Sequence, residues 1–497
     1  MDEEHREEPL PAKAEPVNLF GNPVPLARQR KAARMLKRYA RKYRYDEDAF
    51  YPLFVEDNRV IGPFIGVKNV VSGAALEKLD AHRGVAIGTI RMGYGHYRIA
   101  MAIASAANSM GLVPYWFDLL GFKTPGARMI RDIDYWYSLA SRMSQKSKLF
   151  NDYIWDPLLG KAYKRVEKNY PLMQIARLFA DVYKDIPADM PFIGTHPWPA
   201  QAAVFAGMSN VINVVPDNCP LGFHLAPGAL HTVQSSSAYM IFRTLKELGN
   251  KGEIPKGLAS SELAMAGNYV DHELVANAEA DCSARMDRVA RKKPRRLLIS
   301  VGGAGAQQPL FVSIVRALWP LIEAGDVALY LNFGDHRKVY DLLRREIPRF
   351  EETATRHFDW AETTRFAQEA ISGDVKSLHT FLNDDTFAAV YTTNMLMRSA
   401  DILLTKPSEL AFYPVPTLFL PRVGGHEAWG AIHASELGYG TSECTSTAMV
   451  LQALDLMLSE DDLLALYCDN IVKLKKQGVF NGAYRVIELA QEKRRVP

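Results

Sequence analysis

Cysteine is scarce in this chain: 4 among 497 residues, at Cys219, Cys282, Cys444 and Cys468, with no C-x-x-C spacing. That excludes a disulfide framework and gives no zinc signature. Charge of one sign is not in excess either, because 59 Lys+Arg against 56 Asp+Glu leave a net charge of +3. Neither a disordered polyelectrolyte nor nucleic-acid binding driven by bulk charge is therefore expected. Long hydrophobic runs are missing, and none reaches the roughly 18–20 residues of a membrane span. The start, Met1-Asp2-Glu3-Glu4-His5-Arg6, lacks the basic-then-apolar order of a secretory signal. What remains is ordinary globular usage, 48% hydrophobic and 23% charged, at a length that suits two or three domains. The chain reads as soluble and cytoplasmic.

Residues 1–20 are acidic and proline-bearing, which predicts disorder. Residues 28–44 follow, rich in Arg and Lys with no acid among them, and Met35, Leu36, Tyr39 and Tyr43 recur near helical spacing. Two readings stand: contact with an anionic lipid surface, placing the protein peripherally on the inner face of the membrane, or a solvated helix that balances the acidic tail. From about residue 84 the pattern becomes strand, glycine turn, helix: Val85–Ile90, then Gly93-Tyr94-Gly95-His96, then Ile99–Ala104. This is the opening unit of a parallel α/β sheet. Pro191–His196 and Val211–Asp217 read as later strands ending in polar residues, and ligands gather at such carboxyl ends. The pattern restarts after Arg291–Arg296, read as a linker, with a strand at 296–301, a loop Gly302-Gly303-Ala304-Gly305 and an amphipathic helix through Leu310, Ile314, Leu318 and Leu321. Further strands are expected at 327–334, 401–405 and 417–421. Two such units imply two α/β domains with a cleft between them.

A glycine turn between strand and helix aims free N–H groups and the positive helix end at an anion. Gly302, Gly303 and Gly305 are thus candidate diphosphate contacts. The dinucleotide pattern G-x-G-x-x-G is not met, since Gln308 stands at its last position, and a nicotinamide dehydrogenase is disfavoured.

The segment Asp401-Ile-Leu-Leu-Thr-Lys-Pro-Ser-Glu409-Leu-Ala, then Pro416–Pro421 and Gly424-Gly425-His426-Glu427-Ala428-Trp429, resembles the nucleotide-sugar half of GT-B glycosyltransferases. Within that group the segments resemble monogalactosyldiacylglycerol synthase and the peptidoglycan lipid-intermediate N-acetylglucosaminyltransferase. Gly93-Tyr94-Gly95-His96-Tyr97-Arg98, Thr195-His196-Pro197 and Val215-Pro216-Asp217 resemble motifs of the synthase's other half. The resemblance covers about residues 84–445. It departs where K-P-G-G-x-T is cut to Lys406-Pro407-Ser408, where Tyr94 replaces a glycine, and over 351–400, which has no counterpart.

The resemblance implies an α/β protein of GT-B fold: two Rossmann-like domains facing across a cleft, with an N-terminal extension. The expected divisions are an extension over 1–80, an acceptor domain over 81–288, a nucleotide-sugar domain over 289–470, and a C-terminal helix over 471–497 packing back on the N-terminal domain. Lys406, Ser408, Glu409, Gly425, His426 and Glu427 would join the glycine turn in binding the donor, with Glu409 on the ribose hydroxyls. Gly95, Tyr97, Trp116 and His196 would face the acceptor.

Transfer needs a base, and a histidine whose ordinary pKa is near 6.5 suits that task. His96 is the candidate, with Asp217 orienting it or the acceptor. Each also has a structural reading, His96 as a helix cap and Asp217 as part of a turn, and His196 is read first as structural. N–H donors would stabilise the leaving diphosphate without a metal, so no obligatory metal or cofactor is expected beyond the nucleotide-sugar co-substrate. Asp384-Asp385 is read as a metal pair or a helix cap. His426-Glu427 with His433 fails the H-E-x-x-H spacing of a zinc peptidase. The aromatic and basic stretch 115–155 is read as a lipid-facing surface or a buried core. The expected function is an inverting transfer from a nucleotide sugar, UDP-linked by preference, to a lipid or other hydrophobic acceptor. The partners are that donor, the acceptor and an anionic membrane surface through 28–44, not nucleic acid. The alternatives are an epimerase or hydrolase of the same fold, and a non-catalytic nucleotide- or sugar-binding protein.

Overall fold

Short runs of apolar, often β-branched residues, buried on both faces, set the framework, as parallel sheets covered by helices require. The computed structural model describes residues 17–73, 77–91, 93–146, 164–245, 248–249, 254–302 and 307–495, with the side chains of 136–146 and of residue 495 outside that description. The strands, in chain order, are β1 (Asn18–Leu19), β2 (Asn22–Pro23), β3 (Leu53–Asp57), β4 (Lys68–Ser72), β5 (Gly84–Thr89), β6 (Val113–Asp118), β7 (Phe192–Gly194) and β8 (Val211–Val214). They continue with β9 (Leu230–Val233), β10 (Leu263–Met265), β11 (Arg295–Ser300), β12 (Val327–Asn332), β13 (Ala354–His357), β14 (Ser377–Phe381), β15 (Ile402–Thr405) and β16 (Thr417–Phe419).

An 8-stranded sheet, ordered β10-β9-β8-β7-β5-β6-β4-β3, forms the N-terminal domain, and a 6-stranded sheet, ordered β13-β14-β12-β11-β15-β16, forms the C-terminal domain. All pairings in the two sheets are parallel except β3 with β4. The chain enters the N-terminal sheet at one edge with β3 and β4 and then builds outward in both directions from β5, whereas the C-terminal sheet starts near its middle at β11. β5 lies between β6 and β7, and β11 between β12 and β15. These are the topological switch points, where a crevice opens beyond the strand ends. Two Rossmann-like domains face one another, the GT-B arrangement.

The final helix, Gly482–Arg495, crosses to the N-terminal domain and lies on the helix Gly95–Ser109 and on β7 and β8. Ala483, Val486, Ile487 and Ala490 are buried there, and the Asn210 amide donates to the Ala490 carbonyl at 2.9 Å.

Three expectations on organisation change. The extension is integral beyond residue 52, because β3 and β4 complete the edge of the N-terminal sheet. The helix His272–Ala290, expected with the N-terminal domain, packs on the helix Asp462–Lys476 and buries Leu274, Val275, Ala278 and Cys282 in the C-terminal core. The crossing between domains is therefore at Ala266–Asp271, before that helix, and Arg291–Arg296 runs from the helix into β11 without leaving the domain. The basic segment is a helix, Leu26–Tyr43, as its spacing predicts, but its apolar stripe is covered. Ala32 and Tyr43 are buried, and Met35, Leu36 and Tyr39 pack on the N-terminal core. Its cationic face, with Leu26 at its start, is left to solvent. Of residues 1–20, expected to be disordered, 1–16 lie outside the described residues, while Asn18–Leu19 forms β1 with Leu19 buried, so the expectation fails for that part. No described helix is long and apolar enough to cross a membrane.

Candidate functional site

The turn after β5 and the end of β7 meet at the N-terminal switch point, and backbone pairing makes the junction rigid. Thr195 donates its N–H to the Gly88 carbonyl at 2.8 Å and its hydroxyl to the His96 carbonyl at 3.1 Å. His96 returns the contact, its ring Nδ1–H donating to the Thr195 carbonyl at 2.6 Å. A carbonyl only accepts, so Nδ1 carries the proton and Nε2 keeps the lone pair of the neutral ring. Burial lowers the His96 pKa, and the Thr195 carbonyl with the nearby charges of Asp217 and Glu409 only partly offsets it. The imidazole is thus neutral at pH 7, with its basic nitrogen defined.

His196 sits edge-on to His96, ring centroids 4.8 Å apart, but its Nδ1 accepts the Trp198 N–H at 3.2 Å and caps the helix Pro197–Phe205. Burial holds its pKa well below the usual value. It is the structural histidine of the pair. Asp217, just past β8, lies 3.6 Å from Nε2 of His224, a buried ring whose pKa burial lowers to about 4.

The C-terminal switch point supplies the opposite wall. Gly302, after β11, is close to Lys406, after β15: a Cβ on Gly302 would come within 3.1 Å of the lysine Cε. Lys406 pairs with Glu427, whose other oxygen accepts the Val423 and Gly424 N–H groups at 2.8 and 3.2 Å. Burial opposes the charge on both, yet the pairing wins: the Lys406 pKa is raised, helped by Glu409 and Asp217, and that of Glu427 lowered. Ser408 starts a single 3-10 turn, Glu409–Phe412, in place of a longer helix, which is what the shortened Lys406-Pro407-Ser408 turn leaves room for. Gly425 and His426 are exposed at the turn that opens the helix Ala428–Glu436. Glu409 reaches across the boundary to Gly95, where a Cβ would stand 3.2 Å from its Oε2. Glycine at 95 is what admits that carboxylate.

Gly95, His96, Asp217, Gly302, Lys406, Glu409 and Glu427 therefore converge where the two sheets face. Gly303 and Gly305 lie outside the described residues. Two acceptor expectations are corrected. Tyr97 and Trp116 are buried, with ring centroids 4.9 Å apart, and both pack on Phe387 of the other domain at 5.7 and 5.1 Å. They serve the domain interface, and the Tyr97 hydroxyl is committed to Asp118. Asp384-Asp385 is not a metal pair: Asp385 caps the helix Thr386–Met397 by accepting the Ala388 N–H at 3.0 Å, while Asp384 faces Arg337 at 3.9 Å. His433 bonds Asn268. Among the described residues no three His, Cys, Asp or Glu side chains are grouped to hold a metal ion. Of the aromatic stretch, Trp116, Phe117 and Phe122 are core and Tyr135 is exposed. Its later side chains, Trp136, Tyr137, Phe150, Tyr153 and Trp155 with Arg142, Lys146 and Lys148, lie outside the description.

Sequence reasoning missed Tyr94 as a bridge between domains, His224 as the partner of Asp217, and the buried Asn218. The one signal for the last two was the proline-bracketed Pro216-Asp217-Asn218-Cys219-Pro220 turn, a rigid loop of polar residues at a strand end. Asp401, the first residue of the donor-like motif, is structural. Its Oδ1 accepts Arg288 at 2.9 and 2.6 Å and its Oδ2 the Arg296 N–H at 2.8 Å, tying the helix His272–Ala290 to the sheet.

Among solved structures, the chain is similar to the "S. aureus MnaA-UDP co-structure", at 13% identity and TM-score 0.42 over 82% of this chain and 95% of that one. It is also similar to a UDP-GlcNAc 2-epimerase from Neisseria meningitidis bound to UDP-GlcNAc, at 11% identity and TM-score 0.39 over 82% and 100%. A third is an alpha,alpha-trehalose-phosphate synthase (UDP-forming) from Burkholderia vietnamiensis, at 12% identity and TM-score 0.40 over 82% and 99%. No curated protein sequence matches the chain. Residues 18–244 match a family described as a domain of unknown function (DUF6937), and residues 258–491 one described likewise (DUF6938).

Proposed function

We propose that the protein is a nucleotide-sugar-dependent glycosyltransferase that uses a UDP-linked donor and a hydrophobic or lipid-linked acceptor, with inversion at the sugar carbon. The observation that carries this reading is His96. Its tautomer is fixed by the Thr195 carbonyl, burial keeps it neutral, and it is held beside Asp217 and opposite Glu409. In the proposed step Nε2 of His96 takes the proton of an acceptor hydroxyl. The oxygen attacks the sugar carbon from the face opposite the diphosphate, and the bond from that carbon to the diphosphate oxygen breaks, its electron pair leaving with UDP. Asp217 steadies the imidazolium that forms, and Lys406 supplies positive charge on the donor side. Glu409 is placed to accept pentose hydroxyls. The basic face of the helix Leu26–Tyr43 is consistent with an anionic membrane as the source of a lipid acceptor.

The burial of Tyr97 and Trp116 favours a second reading, an epimerase or hydrolase of the same fold, because two side chains expected to greet an acceptor are closed into the domain interface. One measurement separates the two. Purified protein is incubated with UDP-glucose, UDP-galactose or UDP-N-acetylglucosamine, and both UDP release and sugar epimerisation are followed. Transfer predicts slow UDP release that a suitable acceptor accelerates. His96→Gln should reduce turnover roughly 10²–10⁴-fold, the usual contribution of a general base, with UDP affinity kept. If UDP does not raise the melting temperature and no UDP-sugar is consumed, both readings fail.

A further inference from the structure

We infer that the acidic segment 1–16 docks on the cationic face of the helix Leu26–Tyr43 and shields it from other polyanions. The inference goes beyond the nucleotide-sugar reading and does not depend on it. The helix is fastened by its other side, where Ala32 and Tyr43 are buried and Met35, Leu36 and Tyr39 pack on the N-terminal core. Its outer side is therefore held facing solvent as a fixed surface.

That surface is short of counter-charge. Arg30, Lys31, Arg34, Lys37, Arg38 and Arg41 are exposed, and at the helical period they fall within one arc of about 120°. None has an ion-pair partner among the described residues. The ion pairs of the helix lie towards its two ends, Arg28 with Glu167 at 3.9 Å and Lys42 with Asp132 at 3.3 Å. Arg30 with Arg34, Arg34 with Arg38, and Lys37 with Arg41 are like charges four residues apart, a destabilising spacing. A neighbouring anion relieves that repulsion.

Charge, reach and tether select the occupant. The side chains of residues 1–16 carry a net charge of −4, with Asp2, Glu3, Glu4, Glu7, Glu8 and Glu15 against Arg6 and Lys13. The segment joins the fold at Val17, whose carbonyl accepts the Val24 N–H at 2.8 Å, two residues before the helix begins. At full stretch it reaches about 54 Å, and the 18-residue helix is about 27 Å long, so its acids can lie against every turn. A tether this short holds them near the face at an effective concentration on the millimolar scale. A bilayer is the weaker occupant. Helices that lie in a membrane surface insert an apolar face, and the large apolar side chains of this helix, Leu26 apart, are already packed on the core.

Full-length wild type is treated with a water-soluble carbodiimide, which joins a carboxylate to a lysine amine as an amide and takes up the water as its urea, and the products are mapped by mass spectrometry. Crosslinks from the acids of residues 2–15 to Lys31 or Lys37 should form within monomers at low salt and be lost at about 1 M NaCl, where the screening length is about 3 Å. A combined variant, Glu3→Gln, Glu4→Gln, Glu7→Gln and Glu8→Gln, should keep the wild-type melting temperature and bind heparin, a sulfated polyanion, at least 10-fold more tightly than wild type. A control that neutralises as many exposed acids of the C-terminal domain, Glu362→Gln, Glu369→Gln, Asp455→Asn and Asp469→Asn, should bind heparin much as wild type does. Absence of the crosslinks at low salt overturns the inference, as does their confinement to covalent dimers, which would make a second copy the occupant. Equal heparin affinity of wild type and the tail variant, or an equal gain in the control, overturns it as well.

Discussion

The Tyr94 hydroxyl donates to Oδ1 of Asp335 at 2.5 Å and accepts the Asp335 N–H at 3.1 Å, joining the glycine turn of one domain to the strand end of the other. Arg91 adds an ion pair to the second oxygen at 3.1 Å. Gly334, with φ of 59°, makes this approach possible, since a Cβ there would come within 2.7 Å of the phenol oxygen. The tyrosine thus ties the two domains together two residues before His96.

Tyr94→Phe should therefore weaken the closed arrangement by about 1.5 kcal/mol, the scale of one hydrogen bond to a charged group. The expected outcomes are a lower melting temperature, faster amide exchange around Gly334–His336, and faster association of UDP in stopped-flow. Unchanged exchange and association would show that the contact is not a latch.

Acid stability follows from the buried histidines. Burial lowers the pKa values of His224, His231 and His433 to about 4, and His96 and His196 shift the same way. In the unfolded chain each returns to about 6.5. Between those values the unfolded state binds more protons, so stability rises with pH across the window and is lost as pH falls from 6.5 towards 4. Asp271 and Asp181, raised by burial to about 6, act in the opposite sense between about 3.9 and 6, but the histidines outnumber them. Thermal melts should be flat from pH 7 to 8 and fall steadily below pH 6.5. A melting temperature that rises on acidification would contradict the burial of these rings.

The Lys406–Glu427 pair gives a cleaner energetic test. Glu427→Ala leaves a charged lysine without its partner in a largely desolvated position, for which about 3 kcal/mol of destabilisation is expected. The double variant Lys406→Met with Glu427→Leu removes both charges and should recover most of that stability. UDP affinity should nevertheless stay low in it, because the cation on the donor side is gone. Restored affinity in the double variant would show that Lys406 does not contact the nucleotide.

Much of the framework was legible from residues alone, for a local reason. Val85–Ile90, Arg296–Val301 and 327–334 are apolar runs too short for helices with glycine at or near their ends, and β5, β11 and β12 overlap them. Part of the candidate site was legible because strand ends and glycine turns are where ligands gather in open parallel sheets, and His96, Thr195 and Lys406 all lie at such positions. Asp401 and Trp116 belong to motifs that local sequence could find but not interpret. Whether an aspartate meets a ligand or an arginine from a helix more than 100 residues away (Arg288) depends on packing that local pattern does not encode.

By itself, then, the sequence determined two parallel α/β units, their glycine turns and the helical period of residues 26–43, because those follow from side-chain periodicity and backbone freedom within a few residues. The tertiary structure alone decided that Tyr94 bridges to Asp335, that Tyr97 and Trp116 are sealed beneath Phe387, that the helix His272–Ala290 belongs to the second domain, and that Asn218 is buried without partners. Each of these depends on which surfaces two separately folded sheets bring together, and that is set by long-range burial and pairing.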